Sequence, residues 1–193
     1  NIAAKPQAPL AGRKAVSDSL KRRNIIGVVE SHPLCPTLYQ IKLKAQNFPK
    51  VSIIIPTKNN KKLLEKCLLS IVTYTIYPNY EIVVIDNQSD KEEALTFLHE
   101  QEQEGLIKVI NYDKPFNHSD MNNLAVKETN SEFIVFMNND IEVATEGWLD
   151  QLVATVQMSE NIGVVGTLLM YKNRSVQHGG IILGLNGSTG HSH

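Results

Sequence analysis

Four apolar residues in a stretch of five, Val51–Ile55 with only Ser52 interrupting, are followed after a proline and a polar turn by Lys61–Tyr74, where Leu63, Leu64, Cys67, Leu68, Ile71 and Val72 share one helical stripe. A run rich in β-branched residues and apolar at nearly every position belongs to a strand covered on both faces, and the stripe to a helix that does the covering. The pairing recurs along the chain: Tyr80–Ile85 with Lys91–Glu104, which Gly105 ends, then Ile107–Ile110 with Ser119–Glu128. Phe133–Met137 follows, with Gly147–Gln157 behind it presenting Trp148, Leu149, Leu152, Val153 and Val156 inward. Ile162–Met170 and Val176–Leu183 read as two more strands. This alternation predicts a Rossmann-like α/β architecture, a mostly parallel sheet with right-handed crossovers and helices on both faces.

Residues 1–50 differ in character. Asn1–Leu10 has two prolines and little to bury, and reads as a linker. Gly12–Arg23 is a short helix candidate, and Ile25–Val29 and Leu38–Leu43 are short strand candidates separated by Pro33 and Pro36. We expect a linker and small prefix over 1–50 and a main domain over 51–193. Lys plus Arg number 19 against 20 for Asp plus Glu, a balance that speaks against a nucleic-acid binder relying on phosphate neutralisation. Two cysteines, Cys35 and Cys67, suit neither a disulfide framework nor a zinc site and fit a reducing cytoplasm. No run approaches the ~20 apolar residues that cross a bilayer. Neither terminus carries a start or stop signal, so a piece of a longer multidomain chain is expected.

In an open α/β sheet, ligands bind outside the carboxyl ends of the strands. The residues following the predicted strands are Pro56, Thr57, Lys58, Asn59 and Asn60; Asp86, Asn87 and Ser89; Asn111, Asp113, Asn117 and His118, with Asn122 and Asn123 entering a helix; and Asn138, Asn139 and Asp140. Polar residues delivered to one edge by separate loops point to a binding site. No glycine-rich phosphate loop is present, since the first turn is Pro-Thr-Lys-Asn-Asn. Phosphate is then expected to be met through a divalent cation, Mn2+ or Mg2+, with Asp140 as its carboxylate.

The blocks Val51-Ser-Ile-Ile-Ile-Pro-Thr-Lys-Asn, Glu81-Ile-Val-Val-Ile-Asp-Asn-Gln-Ser-Asp, Phe136-Met-Asn-Asn-Asp and Gln177-His-Gly-Gly-Ile, in that order, resemble the family-2 glycosyltransferases. Among these, the bacterial enzymes of O-antigen and other surface polysaccharides are nearest. The resemblance covers Val51–His193. It implies a GT-A fold, a nucleotide-diphospho-sugar donor of UDP or dTDP type, a divalent metal, inversion at the anomeric carbon, and a saccharide or lipid-linked acceptor. Carried over by position, it puts Pro56, Thr57 and Asn59 in the nucleoside pocket, Asp86 on the base, Asn123 beside the nucleotide, and Asn138 and Asp140 at the outer places of a D-x-D motif. Asn138 departs from the pattern, because an amide is a weak metal ligand. The resemblance implies that the general base comes from a later acidic motif, expected beyond His193.

Each reading has a plainer rival. Asp86 could cap the helix after it, Asp140 could be a turn residue, and Asn122 and Asn123 could be polar residues of a helix start. His118 reads as a loop residue rather than a base. His193, with His191, is a further metal candidate. Lys21-Arg22-Arg23 is a solvated helix face or a contact with the inner face of a membrane bearing lipid-linked acceptors. Two other functions stay open: a sugar nucleotidyltransferase, and a non-catalytic docking or nucleotide-sugar-binding domain of a polysaccharide synthase.

Overall fold

The computed structural model describes residues 7–185 and 188–191. The chain divides into two compact units, Asn47–Leu149 and, separately, Asn1–Gln46 with Asp150–His193. The latter begins with helix α1 (Ala8–Arg22) and an antiparallel hairpin of β1 (Gly27–His32) and β2 (Cys35–Leu43). The helix starts four residues before the expected Gly12. Pro9 sits in its first turn, where a missing N–H removes no intrahelical bond, so proline opens the helix rather than forbidding it. Leu20, Ile25 and Val29 form the small core here, with Val16, Tyr39, Leu43 and Met158 against them.

In Asn47–Leu149 the order is β3 (Val51–Thr57), α2 (Lys61–Tyr74), β4 (Tyr80–Asp86), α3 (Glu92–Gln103), β5 (Lys108–Asn111), α4 (His118–Lys127), β6 (Phe133–Phe136) and the start of α5 (Trp148–Val156). The four strands are parallel and lie in the order β5-β4-β3-β6. Side chains of β3 and β4 alternate between two buried layers. Ile54, Val83 and Ile85 pack with Tyr112 and with Met121 and Ala125 of α4. Ile53, Ile55, Ile82 and Val84 point the other way and are equally buried, as are the inner faces of α2 (Leu64, Cys67, Leu68, Ile71) and α3 (Ala94, Phe97, Leu98). Each such aliphatic side chain contributes roughly 1.5–3 kcal/mol. Gly105, at φ 74°, takes the left-handed conformation after α3 that ends a helix. The sheet, crossovers and helices on both faces are those the sequence predicts.

The end of the chain differs from expectation. Of Ile162–Met170 only Leu169–Met170 (β7) forms a strand, paired antiparallel with β8 (Val176–His178). Val164 is 89% exposed, so this apolar run lacks the partner that would make it a strand. Val176–Leu183 is broken at Gly180, which adopts φ 138°, and resumes as β9 (Ile181–Leu185) paired with β10 (Ser188–His191).

Candidate functional site

The strand order decides where a ligand would go. The strand that follows β3 in sequence lies on one side of it, and β6 lies on the other, so the crossovers diverge and leave a crevice at the carboxyl ends of β3 and β6. A cleft of about 470 Å³ opens in this unit, lined by Pro56, Thr57, Lys58, Asn60, Asn87, Gln88, Pro115, Phe116, Met121 and Asn139. Asn139 Nδ2 donates to Thr57 Oγ1 at 3.0 Å and ties the two strand ends together. The backbone N–H of Asn87 donates to Thr57 O at 2.9 Å. Its side-chain amide, 3% exposed, donates to Tyr112 O at 3.3 Å and Lys114 O at 3.0 Å. Asn87 therefore joins the turns after β3, β4 and β5. Both of its amide hydrogens are engaged, and Oδ1 keeps its accepting capacity.

Of the residues expected at the nucleotide, Pro56 and Thr57 line the cleft. Asn59 does not, because it holds the loop that follows β4. It adopts φ 55°; its Oδ1 accepts from Asp90 N at 2.9 Å and Lys91 N at 3.0 Å, and its Nδ2 donates to Asp90 Oδ1 at 2.6 Å. Asp86 is 6% exposed and also outside the lining; its carboxylate accepts from the backbone N–H and the hydroxyl of Ser89. That closes a local turn, not the helix cap of its plainer reading, since α3 begins at Glu92 with no side-chain cap. Asn123 lies on the exposed side of α4, while Met121 reaches the cleft and Asn122 is buried, its Nδ2 donating to His118 O at 2.9 Å. Asn138 and Asp140 are exposed just beyond β6, flanking the cleft residue Asn139. His118 is exposed at the start of α4. The expectation for His193 lies outside the described residues.

Residues 52–180 match the family described as Glycosyl transferase family 2. The chain belongs to that family. It is 36% identical over 184 residues to the O-antigen biosynthesis protein RfbC of Myxococcus xanthus, covering 95% of this chain and 14% of that protein. It is 35% identical over 106 residues to the O-antigen chain rhamnosyltransferase RfbN of Salmonella typhimurium, covering 54% of this chain and 32% of that one. The chain thus spans less than a third or about a third of these relatives. Among solved structures, the mannosyltransferase PcManGT of Pyrobaculum calidifontis, in complex with GDP-Man and Mn2+, is 18% identical with a TM-score of 0.56, covering 88% of this chain and 46% of that one. At that identity the likeness is one of fold, and it agrees with the GT-A arrangement.

What this member of the glycosyltransferase family offers a metal is limited. Among the described residues no three His, Cys, Asp or Glu side chains gather as a preformed site. Mg2+ and Mn2+ need no such cage when phosphates complete the shell, and one or two carboxylates suffice. Asp140, exposed and hard in its oxygens, fits that donor set; Asn138 fits it poorly. Cys67 does not compete. Burial first, and then the charges of Asp140 and Glu142, push its thiol up to about 12, so it stays protonated.

The sequence underrated Asn87 and missed Phe116 and Met121. Asn87 stands one residue past Asp86 in the same polar turn, where alternation along β4 was the available signal: consecutive residues face opposite ways. Phe116 carries no periodic signal at all.

Proposed function

We propose that this chain is the donor-binding part of a glycosyltransferase that moves a sugar, with inversion, from a nucleotide-diphospho-sugar to a saccharide or lipid-linked acceptor in surface-polysaccharide synthesis. The observation that carries this is the cleft at the β3/β6 switch point, where Lys58, Asn60 and Gln88 have no side-chain hydrogen bond among the described residues and Asn87 keeps Oδ1 open, while Thr57 and Asn139 bond each other. Asn87 Oδ1 is an acceptor for a ring N–H, which suits uracil, thymine or guanine; among these the UDP and dTDP donors are favoured. Asn87, rather than Asp86, takes the edge of the base. Pro56 and Thr57 face the nucleoside. Lys58, exposed and without an ion-pair partner among the described residues, and the amino end of α2, with Lys61 and Lys62 and no acidic residue in its first turn, suit the diphosphate.

Asp140 would hold Mn2+ or Mg2+ together with the diphosphate; when bound, the cation supplies positive charge against which the leaving group departs. The acceptor hydroxyl forms the new bond to the sugar's C1 as the bond from C1 to the diphosphate oxygen breaks. None of the cleft-lining side chains is a carboxylate, and the hydroxyl's proton is assigned to the acidic motif expected beyond His193. The prefix over residues 1–50 is read as an addition to this part, and Lys21, Arg22 and Arg23 as its contact with the inner face of a membrane. Among the described residues no helix is long and apolar enough to cross one.

Isothermal titration with UDP, dTDP and GDP, each with and without Mn2+, tests the reading. The expected outcome is metal-assisted diphosphate binding, with Asp140→Ala losing tenfold or more of the affinity in Mn2+ and none without it, at an unchanged thermal midpoint. Preference for triphosphates would favour a nucleotidyltransferase, and absence of nucleotide binding a docking domain.

A further inference from the structure

We infer that Phe116 is the platform on which the base of the bound nucleotide stacks, a role that rests on the donor-site reading above. Phe116 is 71% exposed. Exposure alone carries little weight, for Leu34 and Val164 are more exposed still. What sets Phe116 apart is where it stands and how it is held. It is the single aromatic side chain among those lining the cleft, and it shares that lining with Asn87.

Its loop is anchored on both sides. Before it, the carbonyls of Tyr112 and Lys114 accept from Asn87 Nδ2, Tyr112 N donates to Asp86 O at 2.9 Å, and the Tyr112 hydroxyl donates to Asp120 Oδ2 at 2.8 Å. After it, Asn117 Oδ1 accepts from Asp120 N at 3.1 Å and caps α4. Between the two anchors lie only Pro115 and Phe116, and proline fixes its own φ near −65°. A ring presented this way gives up little freedom when a ligand arrives. A nucleobase offers an edge that hydrogen-bonds and a face that stacks. Asn87 serves the edge through Oδ1 while its amide hydrogens hold the loop that carries the ring. Asn87 is therefore also the positioning residue for Phe116.

Stacking is indifferent to base identity, because every base has a π face. Phe116→Ala should therefore weaken UDP, dTDP and GDP by similar factors, about five- to hundredfold in Kd. Affinity for inorganic pyrophosphate with Mn2+ should be unchanged, since it has no base. Phe116→Trp should keep nucleotide affinity within about threefold, and its added fluorescence should be quenched by UDP. These measurements use the intact chain, and circular dichroism checks the fold of each variant. Nucleotide affinity unchanged in Phe116→Ala would overturn the inference while leaving the donor-site reading intact. So would an equal loss for pyrophosphate, which marks a collapsed loop. A wild-type chain that binds no nucleoside diphosphate would overturn both.

Discussion

Both ends of the four-stranded sheet carry polar side chains, but at the amino end they bond one another while at the carboxyl end several are left with capacity. At the amino end, Lys50 Nζ donates to Glu81 Oε2 at 2.6 Å, Ser52 Oγ donates to Glu81 Oε1 at 2.5 Å, and the Ser52 and Ser131 hydroxyls lie 2.6 Å apart. Ser52 is wholly buried. Burial alone would raise the Glu81 carboxyl, but the hydrogen bonds from Lys50, Ser52 and Ser131 and the Lys50 charge outweigh it and hold the group below the usual carboxylate range. At the carboxyl end, the side chains of Lys58, Asn60, Gln88, Asn138 and Asp140 have no hydrogen-bond partner among the described residues, and Asn87 Oδ1 is likewise open. Polar groups that satisfy one another hold the fold together. Polar groups left with capacity at a crevice are there for something else.

The most forceful way to break this contrast is at the saturated end. Glu81→Ala leaves the Lys50 ammonium without its partner and removes an acceptor from the buried Ser52, and should lower stability by about 2 kcal/mol while nucleotide affinity stays the same at permissive temperature. The difference from wild type should depend on pH. Because the folded carboxyl titrates below its unfolded value of about 4.5, its stabilisation is complete above that pH and is lost as pH falls through the lower, folded value. Urea titrations between pH 3 and pH 7 measure both effects; a gap that does not narrow in acid would mean that the network contributes nothing through ionisation.

Asn59 sharpens the contrast, because it lies at the carboxyl end yet is saturated. Asn59→Ala loses the bonds to Asp90 and Lys91 and puts a side chain less tolerant of φ 55° at that position. If saturation rather than location decides, stability should fall by about 1–2 kcal/mol and the Kd for UDP should shift less than threefold. A tenfold loss of affinity at unchanged stability would return Asn59 to the nucleotide pocket.

The smallest effect is expected at Cys67. With its thiol held up to about 12 by burial and by the Asp140 and Glu142 charges, it should resist iodoacetamide at pH 8 in the native protein and react once unfolded, as mass mapping would report. Half-buried Cys35 serves as the internal comparison.

Most of the sheet was legible in the sequence because its signals are local. Lys61–Tyr74 was read to the residue, and Tyr80–Ile85 falls one residue short of β4. Burial on both faces makes Ile53, Ile54 and Ile55 apolar regardless of what else the chain does. The run 162–170 misled for the converse reason: its composition suits a strand, but a strand also needs a neighbour, and sequence does not supply one. At the site, Thr57 was legible from its place after β3, and its Asn139 contact depends on two strands 82 residues apart. Asp86 and Asn87 could not be told apart by residue type, since both are polar and adjacent. Only the facing of β4 separates a carboxylate closed on Ser89 from an amide open to the cleft.

That Asn139–Thr57 contact also has a consequence in time. The crevice does not exist when β3, β4 and β5 have paired, because one of its walls belongs to β6, the last strand of the sheet to be synthesised. Two complete strand–helix units lie between its walls, and closing so long a loop is a late and entropically costly event. The crevice is thus complete only when β6 has joined β3 and Asn139 has met Thr57, and a ligand seated there would hold shut the most distant closure in the sheet.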